Sequence, residues 1–457
     1  MIRLFLSLLF LGLFLIAPNA DASTQEHPFL PIKVITTPKS ITYWFIQDTS
    51  QPILNISFGF KGAGAVNETE KTQGLTRLLS NTMDEGAGPY DSKAFQQALD
   101  DDAITLSFGA TRDHFLGQLR TLTETRNHAA ELLRLALTAP RFDEEAVKRM
   151  IDSNIARIRS QQPDPDWQAA RLMNHYIYAD HPYHLNSGGT LSTLPRLTPA
   201  LLQGFKDNYL TRDRLRIGLV GDITESQASA MIDQIFGDLP VKIQDRVDIP
   251  LAPTTSQEKP IVYKNDIPQT IVMMSFPAPT RRDPDFAAFT VLNNILGGSG
   301  FGSRLMEQIR EKAGLTYGIY SSYDPMDYAS RLSITASTKN ETAATLLQKT
   351  ETEIAALRGH PVTKSELDTA KSYLLGSMAM ALDSTSSIAT LLRAEQLDDQ
   401  KPDAIDRLRL DIERVTPGDL KRLARKWLPP EKATTILVGS PLDIKDRVNV
   451  DAIPNVK

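Results

Sequence analysis

Three histidines that lie close together are the most conspicuous candidate metal ligands in the sequence. His175, His181 and His184 fall within the segment "NHYIYADHPYH", and imidazole is a common zinc ligand. Only Asp180 adds a carboxylate nearby, and a zinc site requires closely matched ligand geometry. We therefore do not expect these histidines to hold a metal, and we keep an independent metallopeptidase that uses all three as the weaker alternative.

A glycine-rich segment, "GGSGFGS" at residues 297–303, could in principle cradle a phosphate. It lacks the Lys-Ser/Thr pair that completes a phosphate-binding loop, and a glycine cluster alone is a weak signal. The segment could instead be a turn between helices that requires positive φ angles, or it could be a loop that contacts a ligand. The residue types alone leave both of these roles open.

Composition limits the possible functions. The chain has 457 residues, of which 41% are hydrophobic and 23% are charged, and its net charge is -5. This length is too great for one ordinary hydrophobic core and favours two to four domains. Because Lys and Arg do not form a basic block, nothing suggests binding to nucleic acid. Proteins, peptides and small molecules remain as ligands.

The N-terminus has the pattern of a secretory signal peptide at residues 1–22. Arg3 precedes an apolar run at residues 4–16, and Ala20-Asp21-Ala22 offers a cleavage site. The run is shorter than the roughly 20 residues that span a bilayer, and the sequence contains no cysteine. We expect a periplasmic protein without disulfides and without a stable membrane span. The alternative is an uncleaved N-terminal anchor.

The sequence contains an internal repeat at an offset of 218 residues. "TPALLQGFKDNYLTRDRLRIGLVGD" begins at Thr198, and "TPGDLKRLARKWLPPEKATTILVGS" begins at Thr416. Each opens with a helix-starting Thr-Pro pair and closes with an apolar strand. The same offset relates "QPILNISFGF" to "QTIVMMSFPA". We therefore predict two homologous domains, 23–240 and 260–457, joined by a linker at 241–259.

The two halves also share an order of predicted elements. Strand pairs are predicted at 103–110 with 114–122 and at 315–323 with 330–337. Long helices are predicted at 126–138, 143–160 and 166–178 in the first half, and at 341–357, 363–382 and 384–397 in the second. Strands followed by runs of helices favour an α+β class, in which each domain has an antiparallel sheet with helices packed on one face.

Three segments resemble the pitrilysin/insulinase family of zinc metallopeptidases. They are "LGGSGFGSRLMEQIREKAGLTYGIYSSY", "DEGAGPYDSKAFQQALDDDAITLSFGATRDH" and "HPYHLNSGGTLSTLPRLTPALLQGFKDNYL". The resemblance extends from about residue 30 to 440. It implies two domains of like fold, as in mitochondrial processing peptidase.

Catalytic members of this family carry the inverted zinc motif H-x-x-E-H on a helix of the first domain. The corresponding positions here are Arg77, Ser80 and Asn81. A guanidinium has no lone pair to offer a metal, and Ser and Asn are poor substitutes for His and Glu. The third ligand, a Glu, would fall near residues 155–158, "IARI", which contain no carboxylate. We therefore expect no metal and no other cofactor in this chain.

The resemblance also implies a substrate-binding role for Arg310 and Tyr317, which lie seven residues apart in "REKAGLTY". Both side chains can donate hydrogen bonds to one carbonyl, and such donors are worth most when the carbonyl becomes an oxyanion. The alternative is a surface ion pair and a core tyrosine. In the zinc-less mitochondrial subunit a longer glycine-rich loop contacts substrate, which suggests the same role for Gly297, Gly298 and Gly300.

These features predict a non-zinc subunit of a heterodimeric zinc endopeptidase that is inactive alone. The partner would be a homologous chain with H-x-x-E-H and the zinc ion, whose bound water attacks the peptide bond. The substrates would be unfolded peptides, and Arg310 and Tyr317 would position and polarise them. The alternative is a scaffold or peptide-binding protein of the same fold without any catalytic role.

Overall fold

The computed structural model describes residues 28–242, 248–253, 255–298 and 302–456. The predicted signal peptide at 1–22 lies outside this part of the chain. None of the helices in the described ranges is both long enough and apolar enough to cross a membrane.

The described residues form twelve strands and thirteen α-helices in two successive sets. The strands are β1 (Lys33–Thr36), β2 (Thr42–Gln47), β3 (Ile53–Phe60), β4 (Thr105–Ala110), β5 (Phe115–Leu122), β6 (Leu215–Gly221), β7 (Ile261–Lys264), β8 (Gln269–Pro277), β9 (Ile319–Asp324), β10 (Arg331–Lys339), β11 (Thr434–Gly439) and β12 (Val448–Val450). The helices of the first set are α1 (Leu75–Thr82), α2 (Ser92–Asp101), α3 (Arg126–Thr138), α4 (Glu144–Gln161), α5 (Pro165–Tyr178), α6 (Pro199–Tyr209) and α7 (Glu225–Phe236). Those of the second set are α8 (Phe286–Asn293), α9 (Ala343–Gly359), α10 (Lys364–Met380), α11 (Thr385–Leu397), α12 (Ala404–Arg414) and α13 (Pro417–Trp427).

The strands form two six-stranded sheets with the orders β1-β2-β6-β3-β5-β4 and β12-β7-β11-β8-β10-β9. The α+β class predicted from the sequence is confirmed. The sheets are mixed rather than wholly antiparallel, because β2 runs parallel to β6 and β7 runs parallel to both β11 and β12. Each late strand, β6 or β11, returns from a layer of helices, and such a crossover permits parallel pairing.

The central strands are buried on both faces. In β3, Leu54, Ile56 and Phe58 belong to the main core of the first half. Successive strand residues point to opposite faces, so Asn55 and Ser57 face the other way, and both are also buried. Asn55 Nδ2 donates a hydrogen bond to Thr385 Oγ1 at 2.8 Å, which places the second-half helix α11 on that face.

One helix of each half packs on the sheet of the other half. Gln396 on α11 donates from Nε2 to the Ile217 carbonyl of β6 at 2.7 Å. Reciprocally, Ile177 on α5 is buried with Ile271 of β8 and Ile436 of β11. The predicted arrangement of helices on one face therefore holds only for the helices of the same half. A helix from the other half covers the second face.

The repeated segments have the same local structure. The Thr198 side chain accepts the Leu201 N–H at the start of α6, and the Thr416 side chain accepts the Asp419 N–H at the start of α13. The described part of 241–259 contains no helix or strand. The domain boundaries themselves stay a prediction.

Candidate functional site

A buried carboxylate holds the N-terminal end of helix α1. Glu68 accepts the backbone N–H groups of Gly74 and Thr76, each at 2.8 Å, where the helix has unsatisfied donors. Gly74 itself has a φ of 89°, a conformation that favours glycine. Burial raises the pKa of Glu68 to about 7, although both hydrogen bonds oppose the shift. The first turn of α1 is therefore fixed in place.

The three degenerate zinc positions lie on this helix and form local polar contacts. Ser80 Oγ donates to the Arg77 carbonyl at 2.8 Å. Asn81 Oδ1 accepts a hydrogen bond from Asn154 Nδ2 of α4 at 3.2 Å. Asn154 thus contacts Asn81, one of the motif positions. It lies on α4, the helix on which the family resemblance places the third zinc ligand.

Sequence reasoning missed Asn154, which lies one residue before the range 155–158. A signal was available, because Asn154 and Ile158 are four residues apart and therefore share one face of α4. Both are buried. A buried asparagine on the inward face of a helix requires a polar partner, and here that partner is Asn81.

The charge at this place is positive. The pKa of Arg157 on α4 is lowered, mainly by burial and then by the positive charge of Arg77. Arg157 Nη2 donates to the Gly188 carbonyl at 3.0 Å. Arg77 Nε is buried and has no hydrogen-bond partner among the described residues. Two guanidinium groups repel a metal cation, so these residues do not fit zinc.

The histidine segment offers no alternative metal centre. His184 Nε2 lies 3.0 Å from a Glu70 carboxylate oxygen, and His181 Nδ1 accepts the Tyr183 N–H at 3.1 Å. The ring of His175 packs edge-on against Tyr176. In the described ranges, no three or more His, Cys, Asp or Glu side chains are grouped to hold a metal.

In the second half, Arg310 lies near the end of a π-helical turn, Met306–Glu311. Such wide turns are frequent at functional sites. The Arg310 side chain is 34% exposed, and its Nη1 lies 3.9 Å from Glu311 Oε1. The chain then reverses in a turn closed by two backbone hydrogen bonds, from Gly314 to the Arg310 carbonyl and from Leu315 to the Ile309 carbonyl.

Tyr317 is held by its neighbours while its own side chain projects into solvent. Thr316 Oγ1 lies 2.7 Å from the Ser337 carbonyl of β10 and accepts the Gly318 N–H at 3.1 Å. Tyr317 is 87% exposed. The backbone on both sides of the phenol is therefore fixed, and the ring is available to another molecule.

The strand predicted at 315–323 begins only at Ile319, as β9. Gly314 has a φ of 63°, and Thr316 uses its side chain to reach β10 in place of ladder hydrogen bonds. Residues 315–318 therefore form an irregular segment before the strand.

The glycine-rich segment has a packing role. Gly297 and Gly298 end a π-helical turn, Asn294–Gly298. A Cβ atom at Gly297 would lie 2.6 Å from the Ser321 backbone nitrogen of β9, and one at Gly298 would lie 2.8 Å from Asn293 Nδ2. Close approach therefore accounts for both glycines. Gly300 lies outside the described residues, and contact of the segment with substrate stays a prediction.

Comparison with known proteins supports the same family. Residues 196–374 match a family model described as "Peptidase M16 inactive domain". The "Uncharacterized zinc protease YmxG" of Bacillus subtilis is 23% identical over 385 residues, which cover 83% of this chain and 91% of that protein. The "Non-peptidase homolog YmxG" of Helicobacter pylori is 25% identical over 387 residues, which cover 84% of this chain and 86% of that protein.

A solved structure extends the match to the fold. The crystal structure of a peptidase M16 inactive domain from Pseudomonas fluorescens superposes with a TM-score of 0.84 and 27% identity, and it covers 91% of this chain and 100% of that chain. The resemblance predicted from the sequence is confirmed. Over residues 196–374 the chain is similar to the inactive domain of the M16 peptidases, and over most of its length it is similar in fold to that solved structure.

Proposed function

We propose that this chain is the non-zinc subunit of an exported, two-chain zinc endopeptidase. It would supply Arg310 and Tyr317 to an active site whose metal and general base belong to a partner with H-x-x-E-H. One contrast carries the proposal. In the first half, Arg77, Ser80 and Asn81 occupy the positions of the zinc motif. In the second half, an Arg and a Tyr are present, and the phenol of this Tyr is 87% exposed.

The chemistry of the pair suits peptide-bond hydrolysis. Arg310 offers a permanent positive charge, and Tyr317 offers a neutral O–H donor. Both can point at a substrate carbonyl and stabilise it as it becomes a tetrahedral oxyanion. The partner's metal would supply the activated water. Neither side chain can hydrolyse a peptide bond alone, so we expect the isolated chain to be inactive.

The support for a partner is chemical. An exposed tyrosine between two anchored residues loses little further backbone entropy when another molecule covers it. The names of the relatives, one a zinc protease and one a non-peptidase homolog, fit a family in which metal sites are kept in some chains and lost in others. The N-terminal pattern at residues 1–22 is the basis for placing the pair in the periplasm.

Mixing purified chains tests the proposal. The isolated chain should contain no stoichiometric zinc and should not cleave an unstructured peptide. The H-x-x-E-H partner alone should be weakly active or inactive, and an equimolar mixture should cleave the peptide many times faster. Equal rates for the partner alone and the mixture would contradict the proposal.

The alternative function is a scaffold or peptide-binding protein, which the name of the Helicobacter pylori relative favours. In that case the two chains could still co-purify, but addition of this chain would leave the partner's turnover unchanged.

A further inference from the structure

Two arginines lie close together at the degenerate zinc positions. Arg77 lies one turn before Asn81 on α1, and Arg157 lies nearly one turn after Asn154 on α4. Asn81 and Asn154 are in contact, so both guanidinium groups lie next to the same contact between the helices. Both arginine side chains are half-buried. We call Arg77 and Arg157 the arginine pair.

No acid offsets the charge of the arginine pair. The charge of Arg77 lowers the pKa of Arg157 after burial does, and no carboxylate opposes this shift. In the described ranges, neither arginine forms an ion pair within 4 Å. Glu68, the acid at this end of α1, accepts the Gly74 and Thr76 N–H groups, and its pKa of about 7 leaves it partly neutral at pH 7. Two like charges therefore share a half-buried place.

The terminal donors of Arg77 are available to another molecule. Its Nη1 and Nη2 form no hydrogen bond with the described part of the chain, and, unlike Nε, they are not among its buried unpartnered atoms. Both terminal nitrogens therefore reach solvent. A guanidinium holds its donors in a rigid fork that matches two oxygens of one anion.

Arg157 is already fixed in place by the chain around it. Its Nη1 donates to Gln161 Oε1 at 2.8 Å, and its Nη2 donates to the Gly188 carbonyl at 3.0 Å. Each terminal nitrogen of a guanidinium carries two N–H groups, so one further donor remains on each. A side chain that is held in this way loses little additional freedom when a ligand binds.

The arginine pair is unfavourable for stability by itself. Arg77 lies in the first turn of α1, where the helix dipole disfavours a cation, and a second guanidinium lies beside it. A bound anion would relieve both effects. We propose that the arginine pair binds an oxyanion at the degenerate zinc positions. Two sources have this chemistry, a free inorganic anion and the carboxylate of an acidic peptide. The proposal does not depend on Arg310, Tyr317 or a partner chain.

Probes that differ in charge and size test this site on the full chain. At an ionic strength matched with sodium chloride, inorganic phosphate or a tri-aspartate peptide with blocked ends should raise the thermal unfolding midpoint saturably. The tri-asparagine peptide should leave the midpoint unchanged. Tighter binding of phosphate would assign the site to free anions, and tighter binding of the tri-aspartate peptide would assign it to acidic peptides.

One variant and its control connect the response to the arginine pair. Arg77→Gln should raise the dissociation constant of the tighter probe about tenfold or more, the expected effect of losing hydrogen bonds to a charged group. Arg159→Gln changes the net charge equally and should bind as the unsubstituted chain does. Arg159 lies two residues beyond Arg157 on α4, is exposed, and forms no ion pair within the described ranges.

The ligand-free Arg77→Gln variant should unfold at a midpoint no lower than that of the unsubstituted chain, because its side chain forms no polar contact with the described residues. Four outcomes would overturn the proposal. They are no saturable response to either anion, an equal response to the tri-asparagine peptide, the same dissociation constant for Arg77→Gln and Arg159→Gln, and a lower midpoint for ligand-free Arg77→Gln.

Discussion

At the scale of single residues, two small sets decide what this chain can do. Arg77 and Arg157 bring positive charge to the place where relatives with H-x-x-E-H hold a metal. Asn81 and Asn154 bond to each other there. These features follow from residue type, so the sequence already excluded zinc at Arg77. The Asn81–Asn154 pair could not be predicted, because it depends on how α1 and α4 are aligned.

Removing either proposed donor should slow the proposed two-chain enzyme without unfolding this chain. We expect Arg310→Ala and Tyr317→Phe each to lower the turnover of the mixture by about 10²–10³, the usual effect of losing one oxyanion donor. Tyr317 is 87% exposed, so its substitution should shift the free energy of unfolding by less than about 0.5 kcal/mol. Steady-state kinetics and thermal unfolding measure the two effects.

Tyr320→Phe is the control for this pair. Tyr320 is 50% exposed and lies three residues further along, on β9. A mixture that contains the Tyr320→Phe variant should cleave the peptide as fast as the unsubstituted mixture. If the mixture with Tyr317→Phe cleaved the peptide as fast as the mixture with Tyr320→Phe, Tyr317 would not belong to the active site.

At the scale of elements, the sequence predicted the helices well and the segment before β9 poorly. The predicted helix at 126–138 agrees with α3, and the one at 384–397 agrees with α11 to within one residue. Apolar periodicity is strong in both. The irregular conformation of residues 315–318 could not be recognised, because the Thr316 bond to Ser337 is a long-range contact.

The buried carboxylate below α1 should make stability depend on pH. The folded pKa of Glu68 is about 7, against an ordinary value of 4.5. The folded chain therefore holds this proton more tightly than the unfolded chain, and stability falls as the pH rises from 4.5 through 7. The loss amounts to at most about 3 kcal/mol.

Glu68→Gln removes the titrating group and nearly preserves its shape. Urea midpoints of both proteins at pH 5 and pH 8 should show a smaller decline in the variant. Asp84, Asp113 and Asp398, whose pKa values are also raised, to about 6, titrate in both proteins and cancel in the comparison. An identical decline in both proteins would show that Glu68 is ionised normally.

The contact of α11 with the first sheet depends on a glycine. A Cβ atom at Gly218 of β6 would lie 2.7 Å from Leu392 Cβ and would also meet the Ala389 carbonyl. Gly218→Ala should therefore push α11 away and cost about 1–3 kcal/mol, as other overpacked sites do. Lower urea midpoints and faster amide exchange in residues 385–397 would indicate this displacement of α11.

Gly204→Ala is the matched control for this contact. Gly204 lies inside α6, and a Cβ atom there would meet no atom within 4 Å. Alanine is favoured over glycine within a helix, so this variant should be stabilised by about 0.5–1 kcal/mol. Equal destabilisation of both variants would show that the α11 contact is not the cause.

At the scale of the whole molecule, the repeat predicted two related halves, and each half contributes one sheet. The exchange of α5 and α11 between them could not be predicted from the sequence. Local periodicity shows that a helix has an apolar face, but it does not show which sheet that face covers.

A structure of this chain bound to an H-x-x-E-H partner and an uncleaved peptide would test the central claim most directly. We predict that Arg310 and Tyr317 lie within hydrogen-bonding distance of the scissile carbonyl, next to the partner's metal. An assembly in which both side chains face away from that metal, or lie outside the interface, would contradict the account.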